Sequence, residues 1–195
     1  GDVYKRQAIS RFRGTTSGGP NFAFDLCVER IGADQRKLLD LRSWRTAAIG
    51  AEPVRAETLR RFRETFASVG CRATVPRPGY GLAEATLVLS IGPADAPASI
   101  IEVDAVELTK GKAVIDPPAG SRRVTLVEAG SIGASSTVII VDPATRVICT
   151  PGVVGEIWAR GDGIASGYWY NAAATEEAFG GTLVEDDGHR YLRTG

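Results

Sequence analysis

Histidine is almost missing from this sequence: His189 is the only one in 195 residues. That argues against Ser-His or Cys-His nucleophilic catalysis and against a zinc site. Cysteine is nearly as scarce. Cys27, Cys71 and Cys149 are odd in number, far apart and without C-x-x-C spacing. They read as reduced, packed thiols of a cytoplasmic protein, not as a disulfide framework. No apolar run approaches the ~18 residues of a membrane span. Residues 1–7 are polar and hold no apolar core of a secretory signal. Net charge is missing too, with 23 basic and 23 acidic side chains. No global field therefore draws the chain to nucleic acid or anionic lipid. What is present is a 44% hydrophobic fraction, enough for a packed core and for one domain or parts of two.

Punctuation and periodicity divide the chain. Residues 8–13 read as a helix end closed by Gly14, and residues 15–20 as a loop. Residues 21–30 read as a helix with Phe22, Leu26 and Ile31 on one side. Residues 38–41 read as a short apolar turn. A strand is expected over 44–49, ending at Gly50, and Pro53 suits the first turn of the next helix. Leu59, Phe62, Phe66 and Val69 keep a buried helical stripe that Gly70 closes. Residues 71–75 read as a second short strand. Two strand–loop–helix units imply a parallel sheet, whose ligands sit at the carboxyl ends of the strands. After the breaker-rich residues 92–97 come β-branched runs at 100–103, 124–127, 137–141 and 153–159. A helix follows over 171–179 and a hairpin turn at 185–188. The fold class is thus α/β: a parallel-sheet part over 8–92, then an antiparallel β-rich, barrel-like part over 93–195. The chain starts without Met and stops at Gly195, just after the strand-like Tyr191-Leu192-Arg193. We expect a fragment of a longer protein, with residues 1–7 a non-native leader.

Chemistry concentrates in Pro78-Gly79-Tyr80-Gly81-Leu82-Ala83-Glu84-Ala85-Thr86. Glycines beside a tyrosine let backbone approach a flat ligand while the ring offers a stacking face. Glu84 can hold a hard cation, or it can be a carboxylate favoured by a helix dipole. Tyr80 can stack on a base or fill the core. Gly50-Ala51-Glu52-Pro53 can present backbone to a base edge or serve as an ordinary turn. Ser17-Gly18-Gly19-Pro20 lacks the lysine of a phosphate loop and reads better as a tight turn lining an apolar pocket. Asp186 and Asp187 read as a solvated turn, and the arginines from 55 to 63 as the wet face of a helix.

Together these segments resemble adenylate-forming enzymes, and specifically fatty-acyl-AMP ligases. The match runs in order through Ser17-Gly18-Gly19-Pro20-Asn21-Phe22, Gly50-Ala51-Glu52-Pro53-Val54, Tyr80-Gly81-Leu82-Ala83-Glu84-Ala85-Thr86, Gly155-Glu156-Ile157-Trp158 with Gly167-Tyr168-Trp169, and Tyr191-Leu192-Arg193-Thr194-Gly195. The resemblance implies an ATP site in which Tyr80 stacks on adenine near Gly79 and Gly81. Gly50, Ala51 and Glu52 would lie along the base, Ala83 near the α-phosphate, and Glu84 on Mg²⁺. Gly18, Gly19 and Phe22 would line the acyl pocket. Many relatives carry Thr where this chain has Ala83, so a hydroxyl contact is lacking.

The implied activity joins a fatty acid to ATP, giving acyl-adenylate and pyrophosphate, with an acyl carrier protein or polyketide synthase as acceptor. The segment from Val103-Asp104 to Gly111-Lys112 resembles an insertion that separates acyl-AMP ligases from acyl-CoA ligases. The catalytic lysine, the upstream phosphate loop and the ribose-binding Asp all fall outside the 195 residues. The isolated chain is therefore expected to show no turnover. A long-chain acyl-CoA ligase and a non-catalytic scaffold domain are the alternatives.

Overall fold

The computed structural model describes residues 2–185 and 188–195, with side chains from Gln7 onward. Asp186 and Asp187, the expected hairpin tip, lie outside the described residues. Six helices are described: α1 Asp2–Phe12, α2 Asn21–Arg30, α3 Ala33–Lys37, α4 Ala56–Phe66, α5 Ala105–Thr109 and α6 Ala172–Phe179. The strands are β1 Thr16–Gly19, β2 Thr46–Ile49, β3 Pro76–Tyr80, β4 Ser90–Ile91, β5 Ile100–Asp104, β6 Arg123–Val127, β7 Ser131–Ile132, β8 Ser136–Asp142, β9 Val147–Ile148, β10 Glu156–Gly161 and β11 Leu192–Arg193. They form a five-stranded sheet in the order β1-β2-β3-β4-β7, a four-stranded sheet β11-β10-β8-β9, and the pair β5-β6. The chain divides into two compact units. One holds the residues up to Tyr80, Ser90–Ile101 and Thr125–Ser131; the other holds Gly81–Leu89, Glu102–Val124 and Ile132–Gly195.

In the first unit β1, β2 and β3 run parallel, and β4 joins β3 antiparallel. Its core gathers Phe24 and Cys27 of α2, Trp44, Ile49, and Leu59, Phe62 and Phe66 of α4. Phe62 is the hub. Its ring lies 5.0 Å from Phe24, 6.0 Å from Trp44 and 4.8 Å from Phe66. Leu59, Phe62 and Phe66 of α4 are therefore buried as their spacing requires, while Val69, half-buried, lies on the 3₁₀ turn Ala67–Val69 that follows, which Gly70 closes in the left-handed region at φ 88.

Several expected elements differ. Residues 16–19 are a strand, not a loop, because their backbone pairs with β2 from Thr16↔Thr46 to Gly19↔Ile49. The second strand is Pro76–Tyr80 rather than 71–75, so it runs through the candidate site itself. Pro76 and Pro78 alternate with Arg77 and Gly79, which confines the missing donors to one edge. Helix α4 begins at Ala56, three residues beyond Pro53. On α2 the phase is set by Ala23, Phe24 and Cys27, which are buried, while Phe22 is 56% exposed. Arg63 departs from its wet helical face. Its Nε and Nη2 are buried without a hydrogen-bond partner, and desolvation lowers the guanidinium pKa.

The second unit is antiparallel, as the β-branched runs predict. Strand β10 pairs with β8 over six residues, Glu156↔Val141 to Gly161↔Ser136, and with β11 on its other side. Trp158, Val141 and Tyr191 form its core. Asn171 caps α6 by accepting a hydrogen bond from the Ala174 amide at 3.1 Å. Within 103–112, α5 is capped by Asp104, which accepts from Val106 and Glu107.

Candidate functional site

The parallel pairing of β2 with β3 brings Gly50 and Gly79 side by side at the strand ends. A Cβ on Gly50 would lie 2.6 Å from the Gly79 carbonyl oxygen, so only glycine allows this approach. Ala51 follows in the left-handed region at φ 66, a conformation that costs a non-glycine residue about 1 kcal/mol or more. Residues Ala51 and Glu52 are exposed. The Glu52 carboxylate is engaged: Oε1 accepts the Asn21 amide at 2.8 Å, placing a negative charge at the start of α2.

Asn21 is the residue that sequence reasoning missed here. It is fully buried, donates from Nδ2 to the Pro53 carbonyl at 2.9 Å, and accepts the Arg55 amide on Oδ1 at 3.0 Å. Segment 52–55 is thereby stitched to α2. An asparagine opening a helix looks like a cap in the sequence, and nothing local shows that its side chain reaches a loop more than thirty residues on. Glycines 18 and 19 lie at the end of β1, with Gly19 paired to Ile49 immediately before Gly50. Phe22 stands exposed at the start of α2. Tyr80 ends β3, half-buried, with its backbone paired to Ser90.

The remaining candidates belong to the second unit. Gly81 again admits no side chain, since a Cβ would lie 1.7 Å from the Leu87 carbonyl oxygen. Gly81 and Leu82 lead into a single 3₁₀ turn, Ala83–Ala85, which ends in two left-handed residues, Thr86 at φ 51 and Leu87 at φ 82. Ala83 is exposed and Glu84 half-buried. Three hydrogen bonds tie this turn to residues 163–168. The Ala165 amide donates to the Glu84 carbonyl at 2.8 Å, Thr86 Oγ1 donates to the Gly163 carbonyl, and the Tyr168 hydroxyl donates to Glu84 Oε1 at 2.5 Å. The Tyr168 bond, helped by Glu84's own amide, holds the carboxyl below its usual pKa; the same bond raises that of Tyr168.

A cavity of about 380 Å³ opens here, lined by Glu84, Tyr168, Glu156, Arg193 and Gly195 among others. The Glu156 side chain, 6% exposed, sits 3.4 Å from Arg193 and accepts the Gly195 amide at 3.0 Å. Glu84 and residues 193–195, far apart in the sequence, thus line one cavity. Among the described residues no group of three or more His, Cys, Asp or Glu converges. That donor set suits neither zinc nor a calcium cage. One or two carboxylates do suit Mg²⁺, which keeps waters and takes other oxygens from phosphates.

Residues 3–169 match the family model for AMP-binding enzymes. The chain is 42% identical over 191 residues to the medium-chain-fatty-acid–[acyl-carrier-protein] ligase JamA of Moorena producens, covering 97% of this chain and 32% of that protein. It is 45% identical over 179 residues to 4-hydroxyphenylalkanoate adenylyltransferase of Mycobacterium tuberculosis, covering 91% of this chain and 28% of that one. The fatty acyl-adenylate ligase of L. pneumophila, solved in complex with acyl adenylate and pyrophosphate, superposes with a TM-score of 0.92 at 36% identity, over 99% of this chain and 33% of that one. The chain therefore spans about a third of the length of the relatives it matches. With residues 3–169 matched by the family model, the chain belongs to the AMP-binding enzymes.

Proposed function

We propose that this chain supplies the adenine- and magnesium-facing part of a fatty-acyl-AMP ligase. A fatty carboxylate attacks the α-phosphorus of ATP. A carboxylate oxygen–phosphorus bond forms, the bond to the bridging oxygen breaks, and pyrophosphate leaves with its electron pair. The thiol of an acyl carrier protein, free or within a polyketide synthase, then attacks the acyl carbonyl; a thioester forms, the acyl–phosphate bond breaks, AMP leaves and the thiol proton passes to solvent. No general base is required, because the attacking carboxylate is already ionised at neutral pH. This agrees with the scarcity of histidine.

The observation that carries this reading is the 0.92 TM-score to a ligase whose solved complex holds acyl adenylate and pyrophosphate. In the proposed site, Tyr80 stacks on adenine, with Gly79 and Gly81 keeping backbone close. Gly50, Ala51 and Glu52 run along the base. Ala83 lies by the α-phosphate without offering a hydroxyl, and Gly18, Gly19 and Phe22 line the acyl pocket. Glu84 would hold Mg²⁺, whose charge would offset that of the phosphates. The resemblance of the segment from Val103 to Lys112 to the insertion of acyl-AMP ligases supports the AMP-ligase reading over a CoA ligase. The reaction is assigned to the cytoplasm, in keeping with cysteines in thiol form and with no described helix long and apolar enough to cross a membrane.

A second reading of the substrate has its own support. The M. tuberculosis relative is named for a hydroxyphenylalkanoate, so an arylalkanoic acid competes with a fatty acid. Incubating the full-length protein with ATP, Mg²⁺ and either acid, with and without CoA, tests both. Stable fatty acyl-AMP without CoA is the expected product. Acyl-AMP from the arylalkanoate alone would replace the substrate, and rapid acyl-CoA formation would replace the enzyme class.

A further inference from the structure

We propose that Tyr168 is a positioning residue that fixes the direction of the Glu84 carboxylate; this rests on the metal role proposed for Glu84. Glu84 sits on a single 3₁₀ turn, without the neighbouring turns that restrain a side chain in a long helix. Free rotation about its side-chain bonds would have to be lost each time a cation bound.

The Tyr168 hydroxyl removes that freedom by donating to Glu84 Oε1 at 2.5 Å, a charge-assisted bond. Tyr168 is itself held at two points. Its amide donates to Thr175 Oγ1 at 2.9 Å, and its ring meets Phe179 edge-on at 5.4 Å and 72°. Thr175 is fixed in turn, since its hydroxyl donates to the Asn171 carbonyl at 2.7 Å. Thr175 and Phe179 of α6 thus hold the Tyr168 hydroxyl against one carboxylate oxygen. Meanwhile the Ala165 amide holds the carbonyl of the same glutamate. The side chain and the backbone of Glu84 are both anchored to the segment between β10 and α6.

This is what a metal-binding carboxylate needs from its surroundings. A hydrogen-bond donor behind it sets its orientation and leaves it charged for the cation. Tyr168 touches neither substrate nor cation in this scheme and acts only through Glu84.

The test compares Tyr168→Phe, Glu84→Gln and the double variant in the full-length protein. Tyr168→Phe removes the hydroxyl and keeps the ring on Phe179. Two readouts are taken: the Mg²⁺ concentration giving half-maximal pyrophosphate release, and binding of Mn²⁺ in the presence of ATP, followed by electron paramagnetic resonance. Losing such a partner typically weakens metal affinity by about 10–100-fold. Because phosphates supply other ligands here, the lower end, about tenfold, is expected in both readouts. Saturating Mg²⁺ should restore most of the rate, and the double variant should be no worse than Glu84→Gln. If Glu84→Gln raises the metal requirement but Tyr168→Phe does not, the positioning role is wrong. If Glu84→Gln changes neither readout, the metal role of Glu84 fails first, and the inference falls with it.

Discussion

Asn21 offers a sharp test of how the loop at 52–55 is held. Replacing it with alanine removes the hydrogen bonds to the Pro53 carbonyl and from the Arg55 amide. At about 1 kcal/mol net each, these account for about 2 kcal/mol. Asn21 is fully buried, so the truncation also leaves a small void worth about 1 kcal/mol. Water can reach the exposed Pro53 and Arg55, which limits the penalty for unpaired groups. The expected loss is therefore about 2–4 kcal/mol. Urea unfolding, followed by the fluorescence of buried Trp44 in the same unit, reads it. With a slope of about 2 kcal/mol per molar, the midpoint should fall by about 1–2 M. Asn21→Asp separates the causes. It keeps the size and an acceptor, loses the donor, and puts a second carboxylate near Glu52, so it should be no milder than alanine. A midpoint shift below about 0.25 M for alanine, or a harmless aspartate, would refute this account of the loop.

Three further outcomes follow from particular contacts. Gly50→Ala should destabilise the first unit by about 1–3 kcal/mol and weaken ATP binding in the full-length protein, because its Cβ meets a backbone oxygen that cannot rotate away; calorimetry of both variants checks it. Phe62→Ala should cost about 3–5 kcal/mol in equilibrium unfolding, since three aromatic rings lose their common neighbour. The stability difference between wild type and Tyr168→Phe should depend on pH at both ends. Glu84 is lowered from the usual 4.5, so its share is present above 4.5 and lost as pH falls through the folded value. Tyr168 is raised from 10.0, so its share is present below 10.0 and lost as pH rises through the folded value. Thermal unfolding of both proteins across pH should give a flat difference between these limits, shrinking on either side. A difference that keeps growing below pH 4.5 would contradict the Tyr168–Glu84 bond.

The stripe on α4 was legible because Leu59, Phe62 and Phe66, at helical spacing, have only one way to be buried. The antiparallel second unit was legible from β-branched runs broken by turns. Strand β1 was not, because Thr16-Ser17-Gly18-Gly19 has no strand-like composition of its own; it is a strand only because β2 lies alongside. Strand β3 was misplaced because prolines lack the amide donor of a strand, whereas their alternation lets the other residues still pair. The local marks of the site, its glycines and its lone carboxylate, stood out in the sequence. Its supports did not. Asn21 and Tyr168 act on partners far along the chain, and Tyr168 lies 84 residues from Glu84. No spacing rule in one sequence connects residues that the fold alone brings together.

The central claim is that Glu84 serves an adenylating site. The most direct measurement is fatty-acid-dependent exchange of labelled pyrophosphate into ATP by the full-length protein and its Glu84→Gln variant at subsaturating Mg²⁺. The wild type should exchange without CoA, and the variant should lose about 100-fold or more. Equal exchange by both proteins would contradict the assignment of Glu84, and no exchange by the wild type with any fatty or arylalkanoic acid would contradict the adenylating function itself.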